Sequence, residues 1–268
     1  AVRQEGEDDE EYRVRQLKLM SDSQFNALYV AFSRAELPFT VSYKGVYVLN
    51  VLEDGAADGV LKAGDIVVEL NGEQIKRQES LTDLLSDKKL GDEIEIVINR
   101  DDELITEKIK LKEIPGSEGR VGIGISFAES KTIKTDPDVK ANTEEIGGPS
   151  AGLMFTLEIL NQLIDEDLTK GYEIAGTGEM LENGQVGRIG GIEKKVVAAN
   201  KAGIEIFFAP NDVISESVLK DNPTVQPNYE VAVKTAKEIG TTMKIVPVKT
   251  VDDAIAVSYT HLTLPTKA

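Results

Sequence analysis

Ser150 stands in the stretch EEIGGPSAGLMFTLEILNQLI (144–164), between two glycine-bounded turns and an apolar, helix-like run. The G-P-S-A-G at 148–152 fits the G-x-S-x-G pattern in which a sharp turn presents a serine hydroxyl as a nucleophile. A Ser-His-Asp triad needs a downstream histidine, and the only one is His261, near the C-terminal end. The residues before the serine, DVKANTEEIG, are largely polar, whereas a nucleophile elbow follows a buried strand. An esterase-like hydrolase using His261 is disfavoured on both counts; it predicts that deleting 258–268 abolishes activity. A serine can instead be activated by a neutral lysine in low-dielectric surroundings, where burial disfavours the ammonium form. The run RIGGIEKKVVAANKAG offers Lys194 and Lys195 beside a double glycine, where a helix begins. Adjacent helical residues point about 100° apart, so at most one of the two can face the serine. A helix starting at Ser150, with Leu153, Leu157, Leu160 and Ile164 on one stripe, brings unpaired amides and the positive dipole end beside the hydroxyl. Those are the groups an oxyanion needs.

The chain that must position these residues has 268 of them, enough for two ordinary domains, and its 41% hydrophobic and 29% charged residues are a globular balance. With 30 Lys and Arg against 47 Asp and Glu, the net charge of −17 repels phosphate backbones, so nucleic acid is not an expected partner. The absence of cysteine removes thiol catalysis, disulfides and thiolate metal sites together, and no metal or cofactor is expected. The glycine pattern in GSEGRVGIG lacks the strand-before, helix-after setting of a dinucleotide site and reads as a turn into a strand. No G-x-x-x-x-G-K-S/T occurs, which predicts chemistry independent of ATP. No apolar run is long enough to span a bilayer, and AVRQEGEDDEEYR has none of the features of a signal peptide. The chain as given is expected to be soluble.

Residues 1–39 read as an acidic tail, clustered at 5–11, followed by a helix that Ser21 and Gln24 begin as a capping box and Pro38 stops. GVYVLNV and DIVVELNG are short strands around a KAGD turn, and Ser80 and Asp83 cap a short helix, SLTDLLSD. Ile94, Ile96 and Ile98 alternate with polar residues, RDDE turns the chain, and Ile105, Ile109 and Leu111 return on the next strand. From 120 onward β and α signals mix. RVGIGISF is a strand, the run after Ser150 a helix, and YEIAGTGEM and GQVGRIG flank an Asn183-Gly184 hairpin turn. EKKVVAANKAG, IEIFFAP, NYEVAVKTAKEIG and TMKIVPV then alternate helix and strand. The fold class is two-domain α/β (α+β), with a small β-rich domain followed by a mixed α/β one. SYTHLTLPTKA breaks abruptly from TVDDAIAV and looks like translated adapter sequence, so 257–268 reads as a non-native tail on a final helix cut short.

GVYVLNVLEDGAADGVLKAGDIVVELNGEQI and the elements after it resemble a PDZ domain over 40–115. PDZ domains add an extended peptide to a sheet edge. The resemblance puts that groove between the strand after Gly45 and the helix near Ser80, with Tyr43, Gly45 and Val46 as its contacts. The usual glycine-rich carboxylate loop is not recognisable, YKGVY standing in its place, and Lys44 reads as a solvated lysine. GGPSAG, AGTGEM and GGIEKKVVAANKAGI, in that order, resemble the proteolytic domain of Lon-type serine proteases over 120–256. The resemblance implies Ser150 as nucleophile and Lys195 as its base, with Lys194 facing solvent. It also implies Thr177 as a residue that helps position the lysine, and backbone N–H groups at Ser150 and Gly148 as the oxyanion site. Gly147 stands where many members have an acidic residue. PDZ followed by a Lon-type domain without an ATPase is similar to bacterial PDZ-containing Lon-like proteases. This implies polypeptide substrates, a homo-oligomeric ring, and a membrane anchor upstream of Ala1 that holds the protein on the outer face of the cytoplasmic membrane. The competing expectation is a PDZ adaptor with an inactive proteolytic scaffold.

Overall fold

The structure, a computed structural model of the chain, describes residues 8–139 and 149–260. Its elements begin with α1 (Asp9–Arg34), β1 (Phe39–Val51), β2 (Ile66–Leu70), β3 (Glu73–Gln74), α2 (Gln78–Ser86), β4 (Glu93–Arg100), β5 (Glu103–Lys110), β6 (Lys112–Glu113), β7 (Val121–Gly122) and β8 (Ile125–Thr135). After a 3-10 turn (Pro149–Ala151) come α3 (Gly152–Leu163), β9 (Ile174–Gly176), β10 (Glu179–Met180), β11 (Val186–Gly187), α4 (Ile192–Lys201), β12 (Ile206–Pro210), α5 (Glu216–Asp221), α6 (Asn228–Glu238), β13 (Lys244–Val248) and α7 (Val251–Thr260). The chain divides into two compact units, Val2–Lys18 with Thr40–Lys134, and Leu19–Phe39 with Thr135–Ala268.

In the β-rich unit the strands run in the order β5-β4-β2-β1-β8, with β3 paired to β2. Alternation builds the sheet: Ile94, Ile96 and Ile98 are buried, and they register against the β5 residues Ile109, Glu107 and Ile105. Asp101 (φ 52°) and Asp102 (φ 66°) make the tight left-handed turn between β4 and β5, a conformation short polar side chains tolerate. The sequence reading opens the second domain at 120, but β8 joins the first sheet beside β1, and the division falls after Lys134. Alternation identifies a strand without naming its partner, and the partner decides the boundary.

A second correction concerns α1. Asp8 N–H donates to Glu11 Oε2 (3.1 Å) and Glu11 N–H to Asp8 Oδ1 (2.8 Å), a reciprocal cap. The acidic residues from Asp8 onward thus start the helix, where carboxylates favour its positive end, and Ser21 and Gln24 lie within it.

In the mixed unit β12 is the centre of a parallel sheet, β13-β12-β9, and all five of its residues are buried. Ile206 and Phe208 pack with Leu153, Leu157 and Val248, while Phe207 and Ala209 face Val196, Ala232 and Met243. One strand therefore serves a core on each face of its sheet, as the continuous apolar run IFFAP requires. From α1, Ala27, Ala31 and Phe32 pack with Ile159 and Leu160 of α3. Arg34 forks onto Asp252 of α7, Nε to Oδ1 at 2.7 Å and Nη2 to Oδ2 at 2.8 Å. α7 continues to Thr260, into the segment read as tail; residues 261–268, with His261, lie outside the described residues.

Candidate active site

Ser150 occupies the 3-10 turn that opens α3, and its backbone is held more firmly than its side chain. Its carbonyl accepts from Thr177 Oγ1 at 3.0 Å and from Gly178 N–H at 2.9 Å. Leu153 N–H returns to Gly178 O at 3.0 Å, so residues 150–153 and 177–178 are laced in both directions. A Cβ on Gly152 would lie 2.7 Å from Met180 N and 3.0 Å from Ser23 Oγ, and only glycine fits that approach.

Lys195 stands in the first turn of α4, launched by Gly191 in the left-handed conformation (φ 68°). Its Nζ lies 3.3 Å from Ser150 Oγ, and the residue is partly buried; Lys194 is exposed. The structure thus brings Ser150, Lys195 and Thr177 together from three separate stretches. Thr177, 1% exposed, gives its hydroxyl proton to the Ser150 carbonyl and its N–H to Phe208 O (3.1 Å). Its contact is with the Ser150 backbone, whereas the sequence reading assigns it to the lysine. Of the two amides expected for an oxyanion, those of Ser150 and Gly148, the second lies outside the described residues, as does Gly147; the nearby Leu153 N–H is committed to Gly178 O. Beside this cluster, burial and then the neighbouring Asp22 push the Glu179 carboxyl up from the usual carboxylate range.

The peptide contacts expected in the β-rich unit are placed differently. Val46 is fully buried and registers with Val67, and a Cβ on Gly45 would fall 2.3 Å from Val67 O. Both are packed into the sheet, because β1 has β2 on one side and β8 on the other. Tyr43 lies under Arg77, whose guanidinium carbon is 3.9 Å from the ring centroid. The groove along α2 runs instead against the stretch 121–127, an open cavity of about 830 Å³ lined by Leu81, Leu85, Val121, Ile123 and Phe127, with Arg120 and Lys88 at its rim. Its signal in the sequence is R-V-G-I-G-I. Gly124 (φ 74°) packs against Gly55, where a Cβ would meet the Gly55 Cα at 3.1 Å.

The chain thus joins a small β-rich unit with a helix-flanked groove to an α/β unit that presents a serine hydroxyl to a lysine amine. The comparisons give these units their families. A PDZ domain matches over 30–111, and a Lon protease C-terminal proteolytic domain over 139–260. The chain is thus similar to a PDZ domain in its first part and to a Lon C-terminal proteolytic domain in its second. A 112-residue stretch is 30% identical to Lon protease of Mycoplasma mobile, covering 38% of this chain and 13% of that protein. Over 69 residues the chain is 41% identical to the mitochondrial Lon protease homologue of Neurospora crassa, covering 26% of this chain and 6% of that one. Lon protease of Xanthomonas oryzae is 26% identical over 149 residues, covering 56% of this chain and 15% of that protein. The matches thus span less than a sixth of the length of these relatives. A solved PDZ domain of an SdrC-like protein from Listeria monocytogenes is 38% identical, covering 33% of this chain and 92% of that one, with a TM-score of 0.31.

Proposed function

We propose that the chain is a serine endopeptidase working through a Ser150-Lys195 dyad. The observation that carries the reading is the 3.3 Å approach of Lys195 Nζ to Ser150 Oγ. As a neutral amine, Lys195 takes the Ser150 hydroxyl proton while Oγ attacks a peptide carbonyl carbon. Backbone N–H groups around Ser150 receive the charge that forms on the carbonyl oxygen. Collapse of the tetrahedral species breaks the C–N bond, and the Lys195 ammonium protonates the departing amine. Water then gives a proton to Nζ and its hydroxide to the acyl carbon; as the C–Oγ bond breaks Oγ takes that proton back, which frees the acid and restores Ser150 and the amine. Thr177 holds the Ser150 carbonyl so that the hydroxyl keeps its direction.

No step of this chemistry uses a nucleotide, and the 268 residues contain no phosphate-binding G-x-x-x-x-G-K-S/T motif. We read the activity as ATP-independent and its substrates as small or extended polypeptides. The groove between α2 and the stretch 121–127 recruits or gates them, an apolar trough that also takes in Lys88 and Arg120 and suits an extended peptide. Assembly into a ring, and tethering at the outer face of the cytoplasmic membrane by a segment upstream of Ala1, belong to the same reading through the resemblance alone. Among the described residues no helix is long and apolar enough to cross a membrane.

The test incubates the purified chain with an unstructured protein without ATP and follows fragments by mass spectrometry, alongside Ser150→Ala and Lys195→Ala. Cleavage by the parent and by neither variant supports the dyad. A folded, assembled parent that yields no fragments turns the reading to the adaptor.

A further inference from the structure

Where Lys195 stands depends on where α4 begins, and that is fixed by the stretch leading into it. The segment Arg188–Gly191 crosses from β11 into α4, and its double glycine gives it little stiffness. At its centre Ile189 is gripped on both sides by one side chain. Ile189 N–H donates to Asn228 Oδ1 at 2.8 Å, and Asn228 Nδ2 donates to Ile189 O at 3.0 Å. A primary amide that satisfies both polar groups of one residue imitates a rung of β-sheet, and both partners are buried, Asn228 at 3% and Ile189 at 7% exposure.

The grip is closed into a ring. Asn228 N–H donates to Asp212 Oδ1 at 2.6 Å, and the other oxygen of Asp212 accepts from Arg188 Nη1 at 2.6 Å. The same Nη1 donates to Gln226 O at 2.9 Å. Arg188 adjoins Ile189, so the loop is held at two successive residues by groups from the stretch 212–228. Asp212 lies two residues after β12, whose Phe208 carbonyl accepts the Thr177 N–H. The nucleophile's tether and the lysine's tether thus start four residues apart, one on β12 and the other just beyond its end.

We propose that Asn228, backed by Asp212 and Arg188, is a positioning residue that sets the start of α4 and so holds Lys195 Nζ against Ser150 Oγ. The proposal rests on the dyad reading for its catalytic meaning and on the geometry alone for its structural meaning. Asn228→Ala removes both bonds to Ile189 and touches neither dyad residue. A displacement of the base by about 1 Å costs roughly 100-fold in rate when chemistry depends on near-attack geometry.

The experiment compares the full chain with Asn228→Ala and Asp212→Asn in two measurements. The first is the rate at which a fluorophosphonate probe labels Ser150, set beside the thermal unfolding midpoint of each protein. The second is the Nζ to Oγ separation in crystal structures. The expected result is a folded Asn228→Ala protein labelled at least about tenfold more slowly, with Lys195 out of hydrogen-bond reach of Ser150. Labelling at the parental rate with the separation kept overturns the proposal, since a merely structural role lowers the midpoint without moving the lysine. If Asn228→Ala does not fold, Asp212→Asn decides on the same two readouts. It leaves the Asn228 side chain in place and weakens its backing. A parent that the probe fails to label sinks the dyad reading instead, and the crystallographic separation still decides the clamp.

Discussion

Replacing Gly152 by alanine adds one methyl group where α3 starts, and two opposed effects follow. Alanine is the better helix former by about 1 kcal/mol, and it removes conformational freedom from the unfolded chain. Against that, the new Cβ would lie 2.7 Å from Met180 N and 3.0 Å from Met180 Cβ and Ser23 Oγ. Two of these three atoms belong to β10, which is paired to β11 and cannot retreat like the tip of a flexible side chain. Overpacking of this kind costs about 1–3 kcal/mol, so packing outweighs propensity and the net loss is roughly 1–2 kcal/mol. For a chain of this size that lowers the calorimetric midpoint of the unit holding α3 by roughly 2–8 °C. Because residues 150–153 are laced to 177–178, relief of the clash must also disturb Ser150, and probe labelling of Ser150 should slow. Gly190→Ala is the control: a Cβ there meets nothing within 4 Å, so its midpoint should stay close to the parent's. A Gly152→Ala protein as stable as the parent, with unchanged labelling, refutes the packing argument.

Three further outcomes are expected. Asp65 is 1% exposed and receives Arg100 on both oxygens, at 2.7 Å each, so Asp65→Ala strands a partly buried guanidinium and should cost about 3 kcal/mol or more in urea unfolding. Arg34, chiefly by its hydrogen bonds, holds the Asp252 carboxyl below the usual range; this stability is present above the unfolded pKa of an aspartate and lost as pH falls through the folded one. Asp252→Asn should therefore differ from the parent at neutral pH and converge with it in acid, by no more than about 1 kcal/mol for so exposed a pair. Burial, and then Asp22, raise the Glu179 carboxyl, so its ionisation opposes folding as pH rises through the shifted value. Glu179→Gln should stabilise the protein at neutral pH relative to acid, which paired unfolding curves will read directly.

Periodicity made much of this legible. The isoleucines of β4, the apolar stripe of α3, and IFFAP as a strand buried on both faces follow from spacing alone. Lys195 is different. Spacing says only that one of two lysines can face the serine, and the choice came from resemblance; the structure puts Lys194 in solvent. What remained hidden was pairing. Nothing local in RVGIGISF says that its strand lies beside β1, so the division falls after Lys134 and not at 120. The α1 start was misread because a run of acids suits a solvated tail and a helix N-terminus equally well. The Asn228 grip on Ile189 joins residues 39 apart in the chain, a separation no local pattern reports.

Both donors to Ser150 act on its main-chain oxygen, which every amino acid possesses. Changing the side chain at 150 therefore leaves the mooring intact. The chain also contains no cysteine, so Ser150→Cys would install a solitary thiol at the reacting position. A fluorophore or spin label placed there reports from that one point, and on the proposed dyad reading a disulfide-forming peptide could be captured beside Lys195. A single atom's exchange, oxygen for sulfur, thus turns this position into a reporter without loosening the backbone around it.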